Sequence, residues 1–217
     1  MKKLIIYILL LNPIFVSAQF GIKGGLNFAN VTNASSVNNG SRTGFNIGLL
    51  LAPPSKKFIS SRTEFTFSRQ GYSYKTATNT GNVNLDYIML PQYLCINITK
   101  YFQIQLGAQM AFLVSASVDS NKTTNTPTTG NGNKIIDLYN KFDYGYGGGI
   151  EIHPVSGLLI GARMNISLSN LYKDVQSGQS PSFSGVDFKN NMLQIFAGWK
   201  FGKKEKKEKK EKNNVTE

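Results

Sequence analysis

Six charged side chains, Lys23, Arg62, Glu64, Asp143, Glu151 and Arg163, lie in segments where apolar residues take every second position, and all six take the other parity. Two carboxylates facing one another across a cavity can do acid–base or nucleophilic work on a glycosidic bond, if their lone pairs are free. Three cations and three anions on one face meet a simpler need. Charges taken out of water have to be paired and hydrogen-bonded, and a balanced set can do this for itself as a salt-bridged filling. A structural charge network is therefore the expectation for all six.

The remaining chemically capable residues are few. His153 is the only histidine and stands just before Pro154 in a short connection, whereas a metal centre or catalytic triad draws on several such groups. Cys95 is the only cysteine, so no internal disulfide staples the fold. Gly147-Gly148-Gly149 looks like a phosphate loop, but no helical pattern follows it, and close approach of neighbouring strands explains it better. No catalytic residue, metal ligand or cofactor is expected, and the chain is read as not an enzyme.

The elements that must position the charges are strands. Period-2 alternation recurs in eight segments. The fifth is the most regular, with Phe102, Ile104, Leu106, Ala108, Met110 and Phe112 against Gln103, Gln105, Gly107, Gln109 and Ala111. The others begin at Phe20, Phe45, Ile59, Leu85, Tyr144, Leu158 and Leu193, and the one from Leu85 to Ile96 is the least regular. Each has about the nine to eleven residues that a tilted strand needs to cross hydrocarbon. Long polar stretches (Val31–Arg42, Ser73–Val83, Ala116–Asn140, Tyr172–Lys189) alternate with short turns (Pro53–Lys57, Asn97–Lys100, His153–Gly157). Phe28, Phe45, Phe67, Phe112 and Tyr144 mark one end of the strands, and Phe20, Phe102, Trp199 and Phe201 the other. Two aromatic girdles and alternating loop lengths predict an all-β, eight-stranded antiparallel up-and-down transmembrane β-barrel over residues 19–201, embedded in outer-membrane lipid. Both termini would then be periplasmic and the long loops extracellular. Pro91 cannot donate to a ladder, which predicts a bulge there that would also explain Gln92 on the nominally lipid-facing side.

The ends fit export. Lys2 and Lys3, the apolar run Leu4–Leu11 and Val16-Ser17-Ala18 have the layout of a signal peptide over residues 1–18. Residues 202–217 form a charged tail, with Lys203–Lys212 reading KKEKKEKKEK, and a periplasmic location follows from the barrel topology. Because the tail has no apolar face, removing Gly202–Glu217 should leave folding and insertion unchanged. Full-length and truncated proteins should show the same compact band on unheated gels; losing it on truncation contradicts the idea. Of the net charge of +12, Lys2, Lys3 and the tail's seven Lys against four Glu carry +5, leaving +7 on residues 19–201. That remainder is scattered rather than gathered beside stacking aromatics, so nucleic acid is not an expected partner.

Five stretches carry a family likeness: Phe20–Asn27 (FGIKGGLN), Glu64–Gly71 (EFTFSRQG), Tyr87–Pro91 (YIMLP), Phe142–Gly145 (FDYG) and Trp199-Lys200-Phe201. In these the chain resembles the PorT-like outer-membrane β-barrel family of Bacteroidetes, which tolerates a proline like Pro91. The resemblance implies a Gram-negative cell-envelope protein, with the terminal aromatic-basic-Phe resembling the signal read by outer-membrane assembly machinery. The family's founding member is linked to type IX protein secretion, so an accessory of a secretion or gliding machine, contacting other envelope or secretion-system proteins, is one alternative. A soluble secreted barrel that binds an apolar ligand is another; it requires an apolar interior.

Overall fold

Alternating side chains and antiparallel neighbours close on themselves here. The computed structural model describes residues 19–32, 38–52, 58–75, 79–122, 136–173 and 188–201. Residues 1–18 and 202–217, where the signal peptide and charged tail are expected, lie outside the described residues. The strands are β1 (Gln19–Thr32), β2 (Asn38–Ala52), β3 (Ile59–Lys75), β4 (Asn79–Asn97), β5 (Phe102–Lys122), β6 (Phe142–Ile152), β7 (Leu158–Ser167) and β8 (Lys189–Phe201). Each pairs antiparallel with its sequence neighbour, and β8 closes on β1 from Phe20↔Phe201 to Thr32↔Lys189. The result is the expected eight-stranded up-and-down barrel.

The register sets the width. Following paired residues from Phe20 through Leu51, Thr63, Gln92, Ala108, Tyr146, Ile166 and Asn191 returns to β1 at Asn30, ten positions from the start. Eight strands with this stagger tilt by about 40° and leave a backbone cylinder of about 8 Å radius, room that side chains can fill.

The two faces are inverted relative to a water-soluble barrel. Ile22, Leu26, Ile47, Leu49, Phe65, Leu106, Met110, Ile150 and Ile195 point outward and are 44–62% exposed, whereas Arg62, Glu64, Glu151 and Arg163 are at most 1% exposed. A continuous apolar belt of this kind is far larger than soluble monomers leave open to water. That inversion argues against the apolar-ligand barrel. At the end where β1 begins and β8 ends, Phe20 stacks on Phe201 with ring centroids 6.1 Å apart. At the opposite end, Phe45 lies 5.9 Å from Phe67, and Phe112 lies 5.3 Å from Phe142. Among the described residues, no helix is long and apolar enough to cross a membrane.

Two expectations are corrected. Pro91 causes no bulge. The β3–β4 ladder lapses between Thr63↔Gln92 and Thr66↔Met89 and resumes in the same register, and Pro91 itself is aligned with Gln109 across β5. A proline removes one donor without adding a residue, so the strands need not shift. The real irregularity on β4–β5 lies at Asp86/Tyr87, where Val114 is the extra residue between Leu113 and Ser115. The long stretches also shrink. Asn38–Arg42, Ser73–Lys75, Asn79–Val83 and Ala116–Lys122 were expected as loop but continue the strands. Beyond the apolar belt a strand needs no lipid-facing apolar side, so alternation disappears while the backbone ladder runs on. Of the short connections, 98–101 is held by Thr99, whose Oγ1 accepts from the backbone nitrogens of Tyr101 and Phe102 (3.1 and 3.0 Å). The 153–157 turn ends on Gly157, whose φ of +98° suits glycine far better than any residue with a Cβ.

Candidate functional site in the barrel interior

Inward parity brings Lys23, Arg62, Glu64, Glu151 and Arg163 together in the half nearer the chain termini. Arg163 and Arg62 each hold a carboxylate in a fork. Arg163 Nη1 and Nη2 donate to the two oxygens of Glu64 at 3.0 and 3.1 Å. Arg62 Nη1 and Nη2 donate to those of Glu151 at 2.5 and 2.7 Å. Lys23 Nζ closes on Glu64 Oε2 at 2.6 Å, and Arg62 lies 3.8 Å from the other Glu64 oxygen, which joins the two forks. Amides occupy the remaining positions. Gln105 accepts from Arg163 and donates to Glu151 Oε2 at 3.0 Å, while Gln103 Oε1 accepts from Arg62 at 3.1 Å. The Arg163 guanidinium lies over the Tyr93 ring, 3.9 Å from its centroid. Glycine lets β6 and β7 approach closely at this level: a Cβ at Gly149 would sit 2.8 Å from Arg163 Cα.

The sixth residue, Asp143, is placed elsewhere. It accepts hydrogen bonds from Ser167 and from Ser169 (2.5 Å for the latter) near the opposite end of the barrel. In its stead the network takes in two residues from the terminal end. Lys200 Nζ is 3.8 Å from Glu151 Oε1, and His153 Nε2 is 3.0 Å from the same oxygen. Lys200 shares the inward parity of Gln194, so that signal was present in β8. His153 enters because it stands two residues beyond Glu151 and keeps its inward parity. With both carboxylates held by guanidinium forks, neither offers the free lone pairs that glycosidic chemistry requires. Among the described residues, no group of three or more His, Cys, Asp or Glu is gathered as a metal site. Cys95 is buried and free.

Above the charges lies an amide layer. Asn27 Nδ2 donates to Ser68 Oγ at 2.9 Å, and Asn27 Oδ1 accepts from Asn46 and Gln194 at 2.9 and 3.2 Å. The end away from the termini is apolar, which the alternation did not reveal. Val31, Leu85, Tyr87, Met89, Leu113 and Met192 form a buried cluster there, capped by Tyr139, Leu171 and Phe188. Tyr139 bridges Tyr172 backbone to backbone, Asn140 N donates to Leu171 O at 2.9 Å, and Leu171 N donates to Phe188 O at 2.8 Å. The segments after β5 and β7 are thereby stitched across the mouth as a lid. Burial, with Tyr72 and Tyr172 close by, pushes the Tyr139 hydroxyl well above its ordinary pKa and keeps it neutral.

Residues 16–173 match the family described as outer membrane protein beta-barrel domain. The match takes in β1 to β7 and stops short of β8, the strand whose pairing with β1 completes the ring. No curated protein matches the chain. Among solved structures, it is similar to Ail, the attachment invasion locus protein of Yersinia pestis, at 15% identity and a TM-score of 0.47, over 86% of this chain and 100% of that one. It is similar to Neisserial surface protein A at 15% identity and a TM-score of 0.46, over 84% of this chain and 97% of that one. OprG from Pseudomonas aeruginosa aligns at 12% identity and a TM-score of 0.40, over 86% of this chain and 97% of that one.

Proposed function

Because the chain belongs to the outer membrane protein beta-barrel domain family, we propose that it is a non-enzymatic barrel of the outer membrane that acts at its two ends rather than through its interior. The observation that carries this reading is the stacking of buried side-chain layers inside the barrel. Forked ion pairs, then the Asn27 amide layer, then the apolar cluster under the Tyr139 lid succeed one another from end to end. A cylinder so narrow and so filled leaves chemistry and contact to the loops and the chain termini.

Residues 1–18 act as the export signal, assembly machinery inserts the barrel, both termini face the periplasm, and the lid-bearing end faces outward. The support is the asymmetry of the connections: 53–58, 98–101 and 153–157 are all short at one end, while at the other 33–37 and 76–78 are also short but 123–141 and 168–188 are long. An epitope inserted near Thr128, outside the described residues, should be labelled on intact cells. Labelling seen only after the outer membrane is opened would invert the topology. The finer likeness to PorT-like barrels of Bacteroidetes rests on stretches that fall on β1, β3, β4, β6 and β8. A role beside secretion or gliding proteins rests on that likeness alone, and unchanged cargo export after deletion of the gene removes it.

A further inference from the structure

One polar pair interrupts the lipid-facing belt. Thr63 and Gln92 both point outward and are exposed, and Thr63 Oγ1 donates to Gln92 Oε1 at 2.5 Å. Around them lie Phe65, Leu94, Leu106 and Met110, all 47–54% exposed. Gln92 is three of eight steps along the climb from Phe20 to Asn30, level with about Gly24 on β1. That is midway between the girdles at Phe20 and Phe28, the depth at which lipid has least to offer a polar group. Thr63 occupies one lone pair of the amide oxygen. The two N–H donors of Gln92 meet no acceptor among the described residues. The ladder also lapses beside the pair, at Glu64, Phe65, Leu90 and Pro91. Across β5 the neighbour is Ala108, whose small side chain lets a second surface approach closely.

We infer that this β3–β4 face is the contact surface of a homodimer within the membrane. The inference rests on the barrel's placement in the outer membrane. A second copy is the occupant that fits. Two copies inserted with the same topology are related by a two-fold axis along the membrane normal, which brings Gln92 of each to the same depth. A primary amide carries donors and an acceptor, so two of them satisfy each other across that axis.

The test begins from Cys95→Ala, which removes the only cysteine. Thr63→Cys, which leaves the Gln92 amide in place, is then compared with Ile195→Cys, an outward position on β8, the strand diametrically opposite β4 and at similar depth. Native outer membranes are treated with a mild thiol oxidant. Disulfides form only where Cα atoms come within about 7 Å, so the Thr63→Cys protein should give a band of twice the mass and Ile195→Cys should not. In parallel, Gln92→Leu should reduce the dimer captured by an amine crosslinker. A compact unheated gel band confirms insertion for each variant, and Leu94→Cys replaces Thr63→Cys if that protein does not fold. Inserted protein with equal yields at the two positions, no dimer at either, or linkage only to a different protein overturns the proposal. Failure to sediment with membranes overturns the barrel placement instead.

Discussion

Replacing Glu64 with alanine is expected to destabilise the barrel by about 3–5 kcal/mol, the scale of breaking a buried ion pair and stranding its partner. Glu64 bonds Lys23 at 2.6 Å and accepts both prongs of Arg163, with side chains no more than 1% exposed. Arg62 keeps Glu151 when Glu64 is lost, but Lys23 keeps only the amide oxygen of Gln194 at 3.2 Å and the face of the Phe196 ring, and Arg163 keeps only Gln105 and the faces of two rings, so neither retains an anion. Removing Arg163 along with Glu64 therefore does not restore the balance, because Lys23 is still stranded. The combination Lys23→Met, Glu64→Leu, Arg163→Met removes the whole group and should cost less than Glu64→Ala alone. Asp86→Ala is the contrast. Its partner Arg69 has a side chain 44% exposed at the rim, so solvent screening holds the loss to about 1 kcal/mol or less. Urea unfolding in lipid vesicles, followed through Trp199, the only tryptophan, measures all four. A Glu64→Ala barrel as stable as the parent would sink the view that the ion pairs hold the interior together.

The reach of sequence reasoning follows from what parity can carry. Alternation says which face a residue takes, and each of the eight strands and the inward placement of Lys23, Arg62, Glu64, Glu151 and Arg163 could be read from it. Parity says nothing of height. Asp143 is inward but stands eight residues from Glu151 on β6, at the opposite end of that strand, and the closed register sets the heights of the others on Glu151's side. The apolar lid was hidden for a different reason. Leu85 and Tyr87 on β4 point inward with apolar side chains, so both faces of that strand are apolar and the alternation that marks a barrel strand weakens. On β5 the extra residue Val114 shifts inward parity from Leu113 to Ala116. The ladder in Asn38–Arg42 and Asn79–Val83 left no signature, since strands extending beyond the apolar belt need no hydrophobic face. Gln92 shows the opposite case. It was legible as a polar residue on the lipid side, and the structure keeps it there instead of turning it inward.

In planar lipid bilayers the purified barrel is expected to carry no steady, porin-sized current. Eight strands staggered by ten residues enclose a cylinder of about 8 Å radius measured to the backbone, and side chains project into it from every strand. Two unlike blocks stand in series along it. The first is ionic: Arg62 and Arg163, each at most 1% exposed, are locked by forks to Glu151 and Glu64, and moving either arm aside would strand a charge. The second is apolar: Tyr87, Met89 and Met192 meet the lid residues Tyr139, Leu171 and Phe188, a region with little to hydrate a passing ion. Because the blocks are in series, opening one leaves the other shut. Arg62→Ala paired with Glu151→Ala should stay silent, as should Tyr139→Ala alone, because the Arg163–Glu64 fork and the Asn27 amide layer still stand in the path. Porin-sized steps from the unaltered protein would show a continuous aqueous path past both layers. They would replace action at the ends with transport through the interior.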